Sequence, residues 1–303
     1  MMFAAEGLLE KYQEQNRGLC TTFIYLTKTF DTVHCERLWK IMLEFAVQMS
    51  CQSCMEKVQT SLHGMAGLQG VEVHLENQSV LVTTTLPSQE VQSVLESMGC
   101  KAVLKGMGSH KLQNLGAVMA ILGQPGAVQG VLSLLQVSLQ CCLIEGTIDG
   151  LEPGPRGLHV HQYEDLTQNC ASCGDHFNPE GMPHGGPKDT HRHLGDLWNI
   201  YANGDGRATF RIEDERLKVW DIIGQSLVID ADEDDLGQGG HPLSKVTRNS
   251  GESLACGIIT RSAVLFQNPK QICSCDGLTI WEEWGHPLAG KGQRKPAQNP
   301  AHL

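Results

Sequence analysis

Short apolar β-prone segments separated by Gly- and Pro-rich turns run from about residue 113 to residue 259, and this pattern limits the possible folds more than any other feature. The turns recur at the spacing that is typical of an all-β sandwich or barrel. Two long polar stretches interrupt the pattern, from Tyr163 to Gly195 and from Asp230 to Ser253. Loops of that length are usually functional or disordered, and the first is rich in His and Cys. We therefore expect an all-β domain whose first long loop binds metal.

Histidines are concentrated in one strand and in the loop that follows it. His159 and His161 lie two residues apart, so both imidazoles would lie on the same face of a strand and could chelate one ion. The loop adds three imidazoles and a carboxylate, from His176, His184, His193 and Asp196. Together these four side chains would complete a tetrahedral zinc shell. Solvated histidines scattered through a polar loop are the alternative, which the regular Gly- and Pro-containing surroundings disfavour.

A different pattern covers residues 43–106. It predicts a strand from Leu43, a helix from Cys51, two strands around a Glu-Asn turn, a second helix near Ser88 and a last strand from Lys101. The order βαββαβ builds a small sheet with both helices on one face. We therefore expect an α+β ferredoxin-like domain at 43–106, followed by the all-β domain at 113–259.

Cys51 and Cys54 form a Cys-x-x-Cys motif between the first predicted strand and helix. A thiol beside a helix N-terminus has a lowered pKa and favours the thiolate form. Two soft thiolates with no other Cys or His expected nearby suit exchangeable Cu(I), whereas a structural zinc site closes with four ligands. A thioredoxin-like redox pair is the main alternative, although its usual Gly-Pro surroundings are absent. Inert structural thiols are a third interpretation.

Charge and composition exclude several classes of function. The net charge of −11 disfavours a general nucleic-acid binder. No apolar run reaches the roughly 18 residues of a membrane span, and the first residues lack the pattern of a signal peptide, which indicates a cytoplasmic protein. Twelve cysteines in such a chain point to metal or redox chemistry. The terminal Ala301-His302-Leu303 resembles a peroxisomal address. The nucleus and the mitochondrial intermembrane space are the other compartments considered.

The all-β stretch resembles Cu,Zn superoxide dismutase over about residues 113–259. The motifs that carry the resemblance are Gly157–His161, His176–Pro179, His184–Pro187 and His193–Asp196. It implies a Greek-key barrel, with the three loop histidines and the aspartate named above as ligands of Zn(II). One residue departs from the family nearby, because Trp198 stands where the family has glycine. A large indole so close to a zinc ligand risks overpacking the site.

The same resemblance implies that His159, His161 and His176 correspond to three of four copper ligands, with His176 as the bridge. Asp230 stands where the fourth histidine belongs, and Ser253 replaces an arginine that guides superoxide. Exchanging imidazole for carboxylate changes the softness, charge and geometry of a copper site. We therefore expect a vestigial copper site and no dismutase activity. The family also implies an intrasubunit disulfide, here between Cys170 and Cys256.

The remaining motif lies near the end of the chain. Residues 260–303 lose regular periodicity, and we expect a flexible tail that carries Cys273-Ser274-Cys275. The Met-x-Cys-x-x-Cys motif on its βαββαβ unit resembles the copper-binding domain of copper-transport proteins. The whole combination, over residues 43–303, resembles the copper chaperones for superoxide dismutase.

The chaperone resemblance implies a division of labour without enzyme activity. The first domain would take Cu(I) from a copper donor protein. The middle domain would pair with Cu,Zn superoxide dismutase as a heterodimer, or with itself as a homodimer. Cys273 and Cys275 would bind copper, deliver it and promote the disulfide of the target through thiolate exchange.

Residues 1–42 resemble a fragment of a retrotransposon reverse transcriptase, in which Tyr25 occupies the position of a metal-binding Asp. So short a piece cannot form a polymerase, and we assign it no activity. Two other functions stay open for the chain. One is a superoxide dismutase with an appended metal-binding domain, which Asp230 and Ser253 disfavour, and the other is a zinc-stabilised interaction module.

Overall fold

The computed structural model describes residues 40–109, 115–125, 127–240, 244, 250–267 and 281. All of them belong to the unit Lys40–Leu303. The extension predicted at 1–42 therefore lies outside the described residues except for its last three positions. Within the described ranges, every helix falls short of the length and apolar character that a bilayer-spanning segment needs.

The first domain is a four-stranded antiparallel sheet with two helices, which confirms the predicted ferredoxin-like fold, and we call it the plait. Its elements are β1 (Ile41–Val47), α1 (Gln52–His63), β2 (Leu68–His74), β3 (Ser79–Thr84), α2 (Ser88–Ser97) and β4 (Ala102–Ser109). The strands lie in the order β2-β3-β1-β4. Strand β1 begins two residues before Leu43, because Ile41 is fully buried and pairs with Thr84 and Ser109. Two residues assigned to the extension thus belong to the sheet.

The core of the plait lies between one face of the sheet and the two helices. Leu43 and Phe45 of β1 are fully buried. Each helix contributes a pair of buried side chains spaced i, i+4, which places both members on one stripe. These pairs are Val58 and Leu62 of α1, and Val91 and Leu95 of α2. Because β1 and α1 both pack here, the short connection that carries the Cys-x-x-Cys motif is held between two ordered elements.

The second domain consists of two five-stranded sheets and the short strand β10 outside them, which confirms the predicted all-β sandwich, and we call it the barrel. Its strands are β5 (Ala117–Leu122), β6 (Gln124–Pro125), β7 (Gln129–Ser138), β8 (Cys141–Asp149), β9 (Gly154–His161), β10 (Thr167–Cys170), β11 (Asp196–Ala202), β12 (Ala208–Asp214), β13 (Ser226–Asp230), β14 (Ser253–Ile258) and β15 (Thr260–Ser262). The sheets have the orders β11-β9-β13-β14-β6 and β12-β8-β7-β5-β15. Buried apolar side chains such as Leu132 and Leu227 fill the space between them. The long polar loop connects β10 to β11 and lies beside β9.

The first residues of the predicted flexible tail, 260–303, are part of the fold, and for them the prediction was wrong. Strand β15 pairs with β5, and the following Val264 and Leu265 are each only 4% exposed. The burial of these apolar side chains stabilises the fold. The sequence did not predict this burial, because residues 260–303 show no regular periodicity. Cys273 and Cys275 lie outside the described residues.

A buried ion pair of the barrel contacts the plait. Arg211 of β12 lies directly opposite Glu145 of β8, with its Nε 2.9 Å from Glu145 Oε1. The other carboxylate oxygen accepts a hydrogen bond of 3.1 Å from the backbone N–H of Ser88, the first residue of α2. Arg211 Nη1 also donates to the carbonyl of Thr85. Since Pro87 makes no side-chain cap at this helix, a barrel carboxylate satisfies one of its terminal N–H groups.

Replacing Glu145 by glutamine should therefore destabilise the protein by about 3 kcal/mol, because it leaves the buried Arg211 guanidinium without its counter-charge. Urea unfolding of the full chain measures the change. Glu72→Gln is the matched control, since the Glu72 side chain is 67% exposed and its loss should cost about 0.5 kcal/mol or less. Equal unfolding free energies for the two variants would contradict the structural role of the ion pair.

Candidate metal centres

The thiol pair of the plait lies on the surface where β1 leads into α1. Cys51 occupies the N-cap position of α1 and is exposed, whereas Cys54 lies in the first turn and is half-buried. Their Sγ atoms are 3.2 Å apart. Met49, two residues before the first thiol, is 1% exposed, and its carbonyl accepts a hydrogen bond from Gln78. The buried methionine fixes the start of the loop while the thiols stay accessible.

Local hydrogen bonds favour the thiolate form of Cys51. The Ser53 side chain, with its Oγ 3.0 Å from Cys51 Sγ, and then the Cys54 thiol lower the pKa of Cys51 to about 7. The first turn of α1 contains no acidic residue that would oppose this effect. An exposed thiolate at neutral pH is the state that binds a soft metal ion and exchanges it.

The serine contribution is testable in the copper-free, reduced protein. Alkylation of Cys51 by iodoacetamide should titrate with a midpoint near pH 7 in the unaltered chain, and Ser53→Ala should move that midpoint upward because it removes the strongest favourable hydrogen bond. Mass spectrometry of the Cys51 peptide gives the rate at each pH. Ser93→Ala, on the exposed surface of α2, serves as the control. An unchanged midpoint in Ser53→Ala would exclude the serine hydroxyl as a cause of the lowered pKa of Cys51.

A third thiol lies closer to the pair than the sequence suggested. Cys100, just before β4, lines the same cavity as Cys54, together with the Lys57 side chain. Burial and, after it, the neighbouring Cys54 raise the pKa of Cys100. The expectation of no other cysteine near the motif was therefore wrong, because the sheet brings together residues that are 46 positions apart in sequence.

The four predicted zinc ligands come together in the barrel. The ligand atoms of His176, His184, His193 and Asp196 all lie within 4.8 Å of one another, and all four residues are buried. Asp196 Oδ1 lies 2.7 Å, 3.0 Å and 3.1 Å from the Nδ1 atoms of the three histidines, in that order. Three imidazole nitrogens around one carboxylate oxygen match the donor set and count of a zinc site.

The buried polar atoms of this cluster show whether a cation fits it. His184 Nδ1 is buried and makes no hydrogen bond, although it lies 3.0 Å from Asp196 Oδ1, and such an atom is costly unless an ion binds it. Burial by itself would raise the pKa of Asp196, but contacts with His176 and the other two imidazoles hold it well below its usual range. Its carboxylate is therefore ionised and faces three imidazoles. The cluster fits a divalent cation such as Zn(II).

Backbone and carboxylate groups orient the cluster from outside. Asp196 Oδ2 accepts hydrogen bonds from the N–H groups of His193, at 2.9 Å, and Gly185, at 3.1 Å. Asp234 bridges two histidines, with its oxygens 2.9 Å from His184 Nε2 and 2.8 Å from His159 Nε2. Such outer carboxylates fix the tautomer and orientation of metal-binding imidazoles. Sequence reasoning assigned Asp234 no role, although its Asp-Asp-Leu-Gly motif was the available signal.

Trp198 does not disperse the cluster. It lies two residues after Asp196 on β11, where the pairing with β9 shifts register between Asp196 and Asn199. Its indole packs, half-buried, against the barrel core. The four ligand atoms remain within 4.8 Å of one another beside this side chain.

The second histidine group differs from an open copper site. The ligand atoms of His159, His161 and His176 lie within 4.8 Å of one another. Both ring nitrogens of His159, however, face carboxylates, because Nδ1 lies 3.0 Å from Asp230 Oδ2 and Nε2 contacts Asp234. Burial alone would lower the pKa of His159, but these carboxylates outweigh it and raise the value to about 9. An ion bound at this group would therefore have to displace a proton from His159 and compete with both carboxylate contacts.

Asp230 is held in this position by two serines. It is fully buried and accepts hydrogen bonds from Ser250 Oγ, at 2.8 Å, and Ser253 Oγ, at 3.1 Å. Ser253, which stands where the dismutase family has an arginine, therefore has a structural role, because its hydroxyl donates a hydrogen bond to the buried carboxylate. The arrangement places a hydrogen-bonded aspartate, and not a nitrogen donor, beside Nδ1 of His159.

The structure also joins two distant cysteines of the barrel. Cys170 and Cys256 form a disulfide with a Cα–Cα distance of 5.6 Å. This bond ties β10 to β14. Cys173, one turn later, remains a buried thiol whose Sγ lies 3.7 Å from the carbonyl of Asp165.

Comparisons with known proteins agree with this architecture. Residues 44–101 match the model of the heavy-metal-associated domain, and residues 128–259 match that of copper/zinc superoxide dismutase. The copper chaperone for superoxide dismutase of Homo sapiens is 72% identical over 261 residues, covering 86% of this chain and 95% of the relative.

More distant relatives show the same relationship. The Arabidopsis thaliana copper chaperone for superoxide dismutase, named as chloroplastic/cytosolic, is 34% identical over 243 residues, covering 80% of this chain and 70% of the relative. With both domains matched and such identity over most of the sequence, the chain belongs to the family of copper chaperones for superoxide dismutase.

Proposed function

We propose that this chain is a metal-transfer protein without enzyme activity, which delivers copper to Cu,Zn superoxide dismutase. The observation that carries the proposal is an exposed pair of thiols 3.2 Å apart, joined in one unit to a dismutase-like barrel. In that barrel, the Asp230 carboxylate contacts Nδ1 of His159, which argues against a redox copper centre. We assign the function to three parts of the chain. They are the copper-binding domain, predicted at 43–106 and extended back to Ile41, the dismutase-like domain at 113–259 and the tail at 260–303.

The cargo is Cu(I), bound first by Cys51 and Cys54. Two thiolates suit this soft ion, and the exposure of Cys51 lets an incoming thiolate reach the metal. Cys273 and Cys275 then take the ion: two Cu–S bonds to the plait break, two to the tail form, and the tail thiol protons pass to the plait. Copper needs no free state at any step, and the same exchange loads the plait from a copper donor protein.

The disulfide step follows the same chemistry. After copper has left, dioxygen accepts two electrons and two protons from Cys273 and Cys275, which become a disulfide. A target thiolate then attacks this disulfide, and the second target thiolate releases the mixed disulfide. The target then holds the disulfide, and the tail pair leaves reduced by two electrons. Zn(II), held by His176, His184, His193 and Asp196, would fix the long loop of the barrel during these steps.

A shallow depression on the barrel, which has a mixed polar and apolar lining, is suited to pairing with the dismutase. Tyr163, after β9, and Ile223, before β13, are 53% and 36% exposed and line one shallow depression. Aromatic and aliphatic side chains at such a face are the usual anchors of a protein interface. We place the heterodimer contact here, and the homodimer contact of the free chain on the same face. A reduced compartment such as the cytosol would keep the thiol pair able to bind copper.

The test is to incubate the Cu(I)-loaded full chain with copper-free, reduced, zinc-loaded dismutase and to follow target activity. We expect activation by the unaltered chain and none by Cys273→Ser/Cys275→Ser. Cys141→Ala is the control, because this buried thiol, whose pKa burial raises to about 12, lies outside both motifs. Dismutase activity of the chain without target, or failure of the loaded chain to activate the target, would overturn the proposal.

A further inference from the structure

The plait sheet has a second face, opposite its helices. On β1, Glu44 and Ala46 alternate with the core residues, so their side chains point away from the helices. Across the β1–β4 ladder, Glu44 pairs with Gly106 and Ala46 pairs with Val103. We call these four residues the open face. Glu44 is 5% exposed and Ala46 is 6% exposed, so other parts of the chain cover this side of the sheet.

The first covering segment is 264–266, which follows β15. The backbone N–H of Phe266 donates a hydrogen bond of 2.8 Å to Glu44 Oε2, while Glu44 Oε1 accepts one of 2.8 Å from Lys105. Val264 forms a parallel bridge with Met107 of β4, the edge strand of the sheet. The segment thus adds to an edge that would otherwise expose unpaired backbone groups.

Gly106 makes this approach possible. A Cβ added there would lie 2.8 Å from the carbonyl oxygen of Val264, which is closer than real Cβ atoms come. The glycine leaves room for the tail backbone against β4. A side chain at this position would displace the segment.

The second covering residue is Trp281. It packs against Ala46 and Val103, which are neighbours across the β1–β4 ladder. It follows Phe266 by 15 residues. Two separate points of the C-terminal segment therefore contact the same face of the same sheet.

We propose that the open face of the plait is the docking surface for the C-terminal segment of this chain, held through Phe266 at Glu44 and through Trp281 at Ala46 and Val103. Both contacts involve described residues, Phe266 and Trp281. In sequence, Cys273 lies seven residues after Phe266, and Cys275 lies six before Trp281. Where the proposed copper function holds, these two contacts shorten the chain that tethers Cys273 and Cys275 to the plait, which raises the effective concentration of one thiol pair at the other.

Hydrogen exchange of the full, copper-free chain tests the first contact. In Gly106→Ala, the amides of residues 264–267 should exchange at least about tenfold faster than in the unaltered chain, because the added methyl group opens the contact. Gly64→Ala is the matched control, since a Cβ there meets nothing within 4 Å. Unchanged protection of β1 and the barrel strands would show that both variants are folded.

A second variant weakens the hydrogen bond to Phe266 without a steric clash. Glu44→Gln should also speed exchange at Phe266, because a neutral amide is a weaker acceptor than a carboxylate. Equal exchange at 264–267 in the unaltered chain, Gly106→Ala and Glu44→Gln would overturn the proposal. Neither readout uses copper or a dismutase, so failure here is separate from failure of the copper function.

Trp281→Ala tests the second contact. Trypsin should cleave the C-terminal segment of this variant at least about fivefold faster than that of the unaltered chain, because one of two contacts that restrain the segment is lost. Trp220→Ala is the control, since Trp220 lies in the barrel and is 46% exposed. Equal cleavage rates for Trp281→Ala and Trp220→Ala would remove Trp281 from the docking surface.

Discussion

Replacing Cys51 and Cys54 together by serine should lower the Cu(I) affinity of the plait by at least about a thousandfold, or about 4 kcal/mol. The pair supplies the two soft ligands, 3.2 Å apart, and a hydroxyl is a hard, protonated donor at neutral pH. Fold stability should change little, because Cys51 is exposed and Cys54 is half-buried. Competition against a chromophoric Cu(I) chelator measures the affinity.

The experiment also separates the pair from its neighbour. Cys100→Ser removes the third thiol of the cavity and should leave most of the affinity, since its ligand atom does not join a compact three-ligand group with the pair. Both variants are measured in a chain that also carries Cys273→Ser/Cys275→Ser, so that the tail cannot bind the metal. Retention of tight binding in the Cys51→Ser/Cys54→Ser protein would exclude the plait as the copper acceptor.

Zinc should stabilise the barrel by about 4 kcal/mol when its free concentration exceeds the dissociation constant about a thousandfold. For a domain of this size, such a gain raises the melting temperature by roughly 8 to 16 °C. The cause is that four buried ligand atoms, mutually within 4.8 Å, gain a common partner only in the folded state. Thermal unfolding with and without zinc, in the Cys51→Ser/Cys54→Ser background, measures the shift.

The zinc effect carries a defined pH dependence. Burial alone would lower the pKa of His184, but contacts with Asp196 and Asp234 outweigh it and raise the value to about 10 in the metal-free state. At pH 7 this imidazole must therefore lose a proton to bind zinc, so binding releases protons and weakens as the pH falls. His193→Ala should remove the stabilisation, and exposed His63→Ala should keep it. Equal zinc shifts in these two variants would place the ion elsewhere.

Several local features followed from the sequence because they depend on neighbours along the chain. The alternation from Leu43 and the helical character of the stretches from Cys51 and near Ser88 predicted the elements of the plait, since local periodicity distinguishes strands from helices. The alternation did not predict that both faces of β1 are buried. The Cys-x-x-Cys motif lies at the start of α1, as expected.

Contacts between distant residues were beyond the sequence. Asp234 reaches His159 and His184 across 75 and 50 positions, and Ser253 reaches Asp230 only because β13 and β14 pair with a register shift. The burial of Val264 and Leu265 likewise depends on the plait edge beside them. Such pairings are set by strand register and by side chains that meet after folding.

By itself, the sequence determined the two domains in order, the soft thiol pair for copper, and the four residue types of a zinc shell, because each is written in local spacing and ligand chemistry. Tertiary structure alone decided that Asp230 and Asp234 contact the two ring nitrogens of His159. It also decided that Glu145 caps a plait helix and that Phe266 of the C-terminal segment bonds to the open face. Those outcomes require charges and backbone groups from separate strands to meet in a low-dielectric interior, where an unpaired partner is costly.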